Sequence, residues 1–167
     1  MKIPTIKTKS FLLRPFHKGD EFSLAKNIND RDIGRNNLHI PYPYTLKYAR
    51  EWIAKKSKQG GPHFAIVSGN EVIGGIGLKL EGHKAEVGYW LGKKYRNRGI
   101  TTKAVSLITN YGFKKLKLLR MYAHVFPGNE ASVKVLKKNG YVYEGLIRGN
   151  SIKNGKLMND LQFAKVR

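Results

Sequence analysis

Apolar residues recur along this chain with two different spacings. Over residues 18–29, 45–55, 100–115 and 129–139 they recur every three to four positions, which is typical of helices packed on one side. Between residues 63 and 94 they form short apolar or alternating runs, separated by the turn signals Gly69–Asn70 and Glu81–Gly82. The pattern therefore predicts a meander of strands between two helical regions.

Capping and turn residues set the bounds of the predicted elements. In chain order these are a strand over Ser10–Phe16, a helix over Lys18–Asn29 capped at Asp20, a helix that begins at Thr45 and stops at Gly60–Gly61, strands over His63–Ser68, Glu71–Leu80 and Lys84–Lys94, a long helix from the loop Tyr95–Gly99 to about Lys115, a strand over Arg120–Phe126, a helix over Asn129–Asn139, and strands over Tyr141–Arg148 and Leu157–Val166 joined around Asn154–Gly155. The loop Asn36–Tyr44, which contains two prolines, separates the first two helices.

The order of these elements defines the expected fold. Strands that are joined through the two later helices should be parallel neighbours, whereas the strands of the meander should be antiparallel. We expect an α/β fold of the α+β type, with about seven strands in one mixed sheet and helices on both faces. Because no linker, repeat or change in composition divides the chain, residues 1–167 are predicted to form a single domain.

The net charge is the unusual feature of the composition. The chain has 32 Lys and Arg against 11 Asp and Glu, which gives a net charge of +21. Such a charge attracts polyanions, such as RNA, a ribosome or a polyphosphate cofactor, and it repels a polyamine. A general preference for lysine on solvated surfaces explains the same number equally well, so the charge alone assigns no partner.

Several classes of chemistry are disfavoured by what the chain lacks. Without cysteine it forms no disulfide, thiol nucleophile or cysteine-ligated metal site. The glycine-rich run Gly74–Leu80 lies in a strand pattern and ends in Leu, so it is not a dinucleotide fingerprint, and no Walker or nucleophile-elbow sequence occurs. The 5 histidines show no metal-binding spacing, so no metal is expected. With no apolar run of about 20 residues and no signal-peptide pattern, a cytoplasmic location is expected.

The segment Glu86–Ala104 combines a strand, a basic loop and the start of a helix. The first turn of a helix has free N–H groups and a partial positive charge, and it therefore binds phosphate. Arg96 and Arg98 add full charges, and Gly99 lets the backbone approach a ligand closely. The segment predicts a phosphate site, although an ordinary basic helix cap would have the same composition.

A second helix begins near Asn129, after the next strand. Asn129 suits a helix cap, and the hydroxyl of Ser132 lies close to the same helix terminus. Because both helices follow strands of one sheet, we expect both N-termini at the same sheet edge, where ligands of open α/β sheets bind. A plain structural cap is the alternative.

Five segments occur in the order found in the GNAT acetyltransferases, and they resemble in particular the branch that acetylates protein N-termini, including the ribosomal-protein (Rim-type) enzymes. They are Leu13–Pro15 in the first strand, Pro41–Thr45 before a helix, Ala85–Leu91, the loop Arg96–Thr101, and Asn129 with Ser132, followed by Gly140–Tyr141 and Glu144–Gly145. The resemblance covers nearly the whole chain. Three positions depart from the family pattern: Thr101 replaces Gly or Ala, Lys103 replaces an acidic residue, and Leu136 stands where many members have a general-acid tyrosine.

The resemblance implies that acetyl-CoA is the co-substrate and lies between two splayed parallel strands, Glu86–Lys94 and Arg120–Phe126. It implies contacts with acetyl-CoA, largely through the backbone, from Trp90, Leu91, Gly92, Arg96, Asn97, Arg98, Gly99, Ile100, Thr101 and Asn129. Glu86 is the carboxylate in the central strands beside the loop, so it is the expected base, acting through water, with Glu144 less favoured. Ser132 is expected to donate a hydrogen bond to the leaving sulfur.

Three alternatives remain for the acceptor. The loop before the second helix, with Tyr42 and Tyr44 as a wall beside the substrate, favours a protein N-terminus, such as that of a ribosomal protein, with the basic surface in contact with rRNA. The second alternative is a small amine, an amino acid or an antibiotic. The third is a non-catalytic module that binds RNA or acetyl-CoA. No membrane partner is expected, and both a monomer and a homodimer are compatible with the sequence.

Overall fold

The computed structural model of the chain describes residues 3–55 and 59–167. Residues 1–2, part of the stretch that lacks a signal-peptide pattern, and residues 56–58 lie outside the described residues. The strands are β1 (Ile6–Lys7), β2 (Leu12–Pro15), β3 (His63–Ser68), β4 (Glu71–Glu81), β5 (Lys84–Leu91), β6 (Arg120–Val125), β7 (Val142–Lys153) and β8 (Lys156–Val166). The helices are α1 (Glu21–Ile28), α2 (Arg31–Asn36), α3 (Leu46–Ala54), α4 (Ile100–Lys114) and α5 (Glu130–Lys138), and a 3-10 turn over Lys93–Tyr95 precedes α4.

One mixed sheet holds the fold together. Its 8 strands lie in the order β1-β2-β3-β4-β5-β6-β8-β7. The pair β5 and β6 is parallel, and the other neighbouring strands are antiparallel. Strands β6 and β7, which α5 joins, were expected to be neighbours, but β8 lies between them because it pairs with both. The predicted mixed α/β fold is confirmed, and the short edge strand β1 is an addition that the sequence pattern did not indicate.

Helices pack on both faces of this sheet. Ile108 of α4 and Leu136 of α5 belong to a core cluster with Phe64 of β3, whereas Leu24 of α1 and Ala49 of α3 belong to a second cluster on the other face. Along β3, Phe64 and Ile66 join the first cluster and Ala65 and Val67 the second, as alternation of side chains across a strand requires. We call the side covered by α4 and α5 the α4 face, and the opposite side the α1 face.

The glycines of β4 make room for rings that lie across the strand. A Cβ atom added at Gly75 would lie 2.6 Å from Nε1 of Trp90, and one at Gly77 would lie 2.3 Å from Nδ1 of His63. Glycine lets these aromatic rings lie flat against the backbone. The run Gly74–Leu80 therefore serves packing inside a strand, as the pattern predicted.

Two element boundaries depend on contacts that are distant in sequence. Helix α2 was not predicted; Asp30 caps it by accepting a hydrogen bond from the Ile33 N–H at 3.0 Å, and Arg96 contacts the same carboxylate at 3.2 Å. The strand predicted to reach Lys94 ends at Leu91. Gly92 still donates its N–H to the Ile73 carbonyl at 2.8 Å, and the chain then leaves the sheet in the 3-10 turn.

Two predicted helix ends are wrong in detail. Helix α3 ends at Ala54, so Gly60–Gly61 do not terminate it, and the intervening residues 56–58 lie outside the described part of the chain. Asp20 stands at the N-cap of α1, but its carboxylate forms no cap hydrogen bond. Both of its oxygens instead accept hydrogen bonds from Arg14 at 2.7 Å.

The last two strands form a longer hairpin than predicted. Strand β7 continues past Arg148 to Lys153, across a bulge between Ile147 and Ser151. The buried carboxylate of Asp160 accepts hydrogen bonds from Asn150 at 2.7 Å and from Ser151 at 2.6 Å, and so holds the bulge to β8. Among the described residues, no helix is both long and apolar enough to cross a membrane.

Candidate active site

The sheet opens between its two parallel strands. Strands β5 and β6 pair from Lys84 with Arg120 to Glu86 with Tyr122 and then separate. Beyond that point β5 stays paired with β4 as far as Leu91, and β6 stays paired with β8. The facing edges of β5 and β6 are therefore no longer paired with each other beyond this point. We call the wedge-shaped gap between the two strands the split.

The backbone of β5 offers its free groups to the split at alternate residues. Because the Gly92 N–H binds Ile73 of β4, strand alternation turns Trp90 toward β4 as well. The N–H and C=O groups of Val87, Tyr89 and Leu91 face the split. Of the three residues expected to meet acetyl-CoA through their backbone, Trp90 and Gly92 thus face β4, and Leu91 faces the split.

The loop after β5 leaves backbone N–H groups without a side-chain cap at the start of α4. Asn97 and Gly99 both adopt left-handed backbone conformations, with φ of 62° and 72°. Gly99 occupies the N-cap position without a side-chain cap, so the N–H groups of the first turn, including Thr101, stay available to a ligand. The Ile100 side chain lies in the core, so only its backbone can serve the site. Successive N–H groups of this kind bind phosphate.

The basic side chains of this loop have different roles. The Arg96 guanidinium contacts Asp30 at 3.2 Å and Asp32 at 3.9 Å, and its Nε donates to the Leu91 carbonyl at 3.3 Å. Its side chain thus ties the loop to the start of α2. Arg98 is exposed, with its guanidinium 5.9 Å from the centre of the Tyr95 ring, and therefore remains available for an anion.

The start of α5 faces the split from the α4 face. The side-chain oxygen of Asn129 accepts a hydrogen bond from the Ser132 N–H at 3.3 Å, so this amide is used as the helix cap. The Ser132 hydroxyl lies 2.7 Å from the hydroxyl of Tyr89, which projects from β5. Tyr89 was not among the predicted residues, although it lies an odd number of positions from Glu86 and must therefore point to the opposite face.

Glu86 lies on the α1 face, at the inner end of the split. Its Oε1 is 3.1 Å from Nδ1 of His124, whose Nε2 is 3.2 Å from the side-chain oxygen of Gln162. The Gln162 amide donates to Glu144 at 2.9 Å. A carboxylate accepts hydrogen bonds, so the Gln162 oxygen must face His124, and both ring nitrogens of His124 must donate. The hydrogen bond to Glu86 raises the pKa of His124, which favours the protonated ring that can donate to both acceptors.

Glu144 is not suited to act as a base. Both of its oxygens accept hydrogen bonds from the Arg120 guanidinium, one at 2.7 Å. These bonds lower the pKa of Glu144 to about 2. Glu86 is therefore the better placed of the two predicted carboxylates.

The two tyrosines predicted to line the substrate side have different environments. Tyr44 is buried in the second core cluster, and burial raises its pKa to about 12, so its ring is a packing residue. Tyr42 is 49% exposed, with the Arg31 guanidinium 5.7 Å from its ring centre, and it alone remains a candidate for acceptor contact. Lys153, at the end of β7, donates to the Asn37 carbonyl and joins the hairpin to this loop.

Charges on the open part of the α1 face compensate one another. Glu81 is paired with Lys79 and bonded to Tyr122, Glu86 is paired with His124, and Glu144 is paired with Arg120. Within residues 3–55 and 59–167, no cluster of three His, Asp or Glu side chains could hold a metal ion.

Comparison with known proteins gives consistent matches. The model of the acetyltransferase (GNAT) domain family matches residues 10–142. "Probable N-acetyltransferase YjcK" of Bacillus subtilis is 33% identical, covering 90% of each chain. A GNAT-family acetyltransferase from Bacillus anthracis has a crystal structure that aligns with a TM-score of 0.87 and 26% identity, over 98% of both chains.

Two further matches carry names that state an acceptor. Spermidine N(1)-acetyltransferase of Escherichia coli K12 is 24% identical, over 92% of this chain and 84% of that protein. The ribosomal-protein-S5-alanine acetyltransferase of Vibrio fischeri aligns with a TM-score of 0.81 and 22% identity, over 98% of this chain and 97% of that one, which shows a shared fold.

Proposed function

The chain belongs to the GNAT acetyltransferases, and we propose that it transfers the acetyl group of acetyl-CoA to the N-terminal α-amine of a protein, such as a ribosomal protein. The observation that carries the proposal is the charge balance around the split. Glu81, Glu86 and Glu144 on the open α1 face each have a basic side-chain partner, and the chain as a whole carries +21. This surface does not concentrate a polycation, whereas a single amine at the end of a peptide can reach Glu86.

The acceptor nitrogen must lose a proton to attack. A protein α-amine has a pKa of about 7.7–8.0, compared with about 10.4 for a lysine amine. A weaker base is therefore sufficient to remove its proton. Oε1 of Glu86 is already bonded to His124, which leaves Oε2 to receive the proton through water. A weakly basic acceptor fits this partly engaged carboxylate better than a polyamine does.

The two faces of the sheet at the split have different roles in the proposed reaction. Glu86 lies on the α1 face, from which the amine approaches, and Ser132 lies on the α4 face, toward which the sulfur departs. A bond forms between the amine nitrogen and the acetyl carbon, the carbon–sulfur bond breaks, and its electron pair leaves on the sulfur. A thiolate has a parent pKa of about 8.5, so one hydrogen bond from Ser132 suffices without the tyrosine that Leu136 replaces.

Residues of the split and its loop fit acetyl-CoA. The backbone groups of Val87 and Tyr89 and the N–H of Leu91, which face the split, would bind its amide-containing arm as an added strand. The uncapped N-terminus of α4 and the exposed Arg98 would hold its pyrophosphate.

Acetylation assays with defined acceptors test the proposal. We expect CoA release with peptides that have a free N-terminus, and much less with the same peptides blocked at the N-terminus but carrying a lysine. Glu86→Gln should lower kcat about 100-fold. Glu81→Gln is the matched control, since Glu81 lies on the same face but is held by Lys79 and Tyr122. Turnover of spermidine alone would contradict the proposed acceptor.

A polyamine is the second candidate acceptor, and the spermidine acetyltransferase relative supports it. The paired acidic groups of the α1 face argue against it. Competition between peptide and spermidine in one assay ranks the two by kcat/KM.

We also propose that the layer of α4 and α5 contacts ribosomal RNA. Glu130 is the only acidic residue between residues 100 and 140, a stretch that contains Lys103, Lys114, Lys115, Lys117, Arg120, Lys134, Lys137 and Lys138. The proposal predicts binding of an rRNA fragment that weakens steeply with salt. Charge reversal at Lys134, Lys137 and Lys138 should abolish this binding, while acetylation of a free peptide is retained.

A further inference from the structure

Tyr89 holds a position beside the proposed leaving-group donor. It projects from β5 toward α5, and its hydroxyl oxygen lies 2.7 Å from Ser132 Oγ and 3.5 Å from the Ser132 carbonyl oxygen. The Asn129 cap holds the backbone of Ser132 in place. Leu136, one turn further along α5, is buried and offers no hydroxyl of its own.

The direction of the hydrogen bond between the two hydroxyls follows from their surroundings. Burial raises the pKa of Tyr89, so its hydroxyl stays protonated and has one hydrogen to donate. An O–H···O bond is normally about 2.5–3.0 Å long, so Ser132 Oγ is the suitable acceptor and the carbonyl at 3.5 Å is not. Either hydroxyl can be the donor in this pair, and these distances favour Tyr89, in which case the Ser132 hydrogen points away from Tyr89.

We propose that Tyr89 is a positioning residue for the leaving group: its hydroxyl fixes the Ser132 hydroxyl so that the Ser132 hydrogen points at the thioester sulfur. This inference rests on the proposed function. As the carbon–sulfur bond breaks, the sulfur keeps the electron pair and receives the hydrogen bond of Ser132, while Tyr89 keeps its proton. The hydroxyl that orients Ser132 thus comes from β5, whereas α5 itself carries Leu136, which has no hydroxyl.

Kinetics of three variants test this role. Tyr89→Phe keeps the ring and removes only the hydroxyl, so kcat should fall about five-fold, the factor of one ordinary hydrogen bond, with KM for acetyl-CoA unchanged. Ser132→Ala should lower kcat by about ten- to a hundred-fold. The double variant should match Ser132→Ala alone, because Tyr89 acts only through Ser132.

Tyr141→Phe is the matched control. Tyr141 is also a buried tyrosine near α4, but its hydroxyl lies 2.8 Å from Thr109 Oγ1 and not beside Ser132. Loss of this hydroxyl should leave kcat unchanged. A comparable fall in kcat for Tyr141→Phe and Tyr89→Phe would show a general packing effect and overturn the proposal, as would losses that multiply in the double variant.

A binding experiment separates this role from the identity of the acceptor. Calorimetric titration with CoA and with desulfo-CoA measures the interaction with the sulfur and requires no acceptor. The wild-type protein should prefer CoA, and Tyr89→Phe and Ser132→Ala should both reduce that preference. If the preference responds in this way but no peptide is acetylated, the proposed acceptor is wrong and the positioning role stands. If Tyr89→Phe leaves the preference unchanged, the positioning role is wrong, whatever the acceptor.

Discussion

Replacing Gly75 by alanine tests whether β4 needs a glycine at this position so that the Trp90 ring can pack beside the split. Gly75 pairs with Trp90 across β4 and β5. The added Cβ would lie 2.6 Å from Nε1 and 3.2 Å from Cε2 of the Trp90 ring. That ring packs against the second core cluster, which includes Leu24 and Ile28 of α1, so it cannot withdraw without disturbing this packing.

The overlap sets the size of the effect. An ordinary contact begins at 3.4 Å, so the 2.6 Å separation is short by about 0.8 Å. Overpacking of this kind costs about 1–3 kcal/mol, and we expect Gly75→Ala to lower the free energy of unfolding by about 2 kcal/mol. For a chain of this length, that loss corresponds to a fall in Tm of about 4–8 °C.

Urea unfolding followed by tryptophan fluorescence measures this loss, because Trp90 is one of only 2 tryptophans. Gly88→Ala is the matched control on the adjacent strand. A Cβ at Gly88 would have no atom within 4 Å, and the backbone there is not left-handed. The control should stay within about 0.5 kcal/mol of the wild type.

Two results would refute this reasoning. If Gly75→Ala were as stable as the wild type, the ring would not be confined as the packing indicates. If Gly88→Ala lost as much stability as Gly75→Ala, the loss would come from β propensity or strand geometry and not from Trp90.

Three further predictions concern the site itself. Because Glu86 raises the pKa of His124, protonated His124 stabilises the fold below pH about 6.5, and this contribution is lost as pH rises through the folded-state pKa. His124→Gln should therefore lower the free energy of unfolding by about 1 kcal/mol at pH 5.5 and by less at pH 9. Parallel urea titrations at the two pH values measure this difference. Arg96→Ala should raise KM for acetyl-CoA several-fold by freeing the loop from α2, and Asp30→Asn should do so less, as steady-state kinetics would show; an unchanged KM in Arg96→Ala contradicts the tie. Gly88→Leu should fold normally yet lose peptide acetylation, since the side chain would occupy the open α1 face beside Glu86, and activity equal to wild type would show that the acceptor does not pass there.

Local patterns in the chain were sufficient for much of the architecture. Strands β3, β4 and β5 and helix α4 were predicted close to their observed bounds. Their apolar patterns depend only on residues that are a few positions apart. The glycine-bearing loop before α4 was also recognisable, because its left-handed positions and helix start are local features. Helix α2 was missed because it has only 6 residues and part of its support comes from Arg96, which is far away in sequence. The extension of β7 was missed because the bulge between Ile147 and Ser151 interrupts the alternating pattern.

Apart from β1 and α2, the sequence alone therefore determined the order of elements, the mixed sheet and the loop that suits phosphate, since turn chemistry and periodicity act over short distances. Only the tertiary structure decided which side chains meet. Tyr89 and Ser132 are 43 residues apart, and Arg96 and Asp30 are 66 apart, so no local pattern could join them. Burial of Tyr44 and the pairing of Glu144 were decided in the same way, because the partners of each come from separate strands and helices that meet only when the sheet forms.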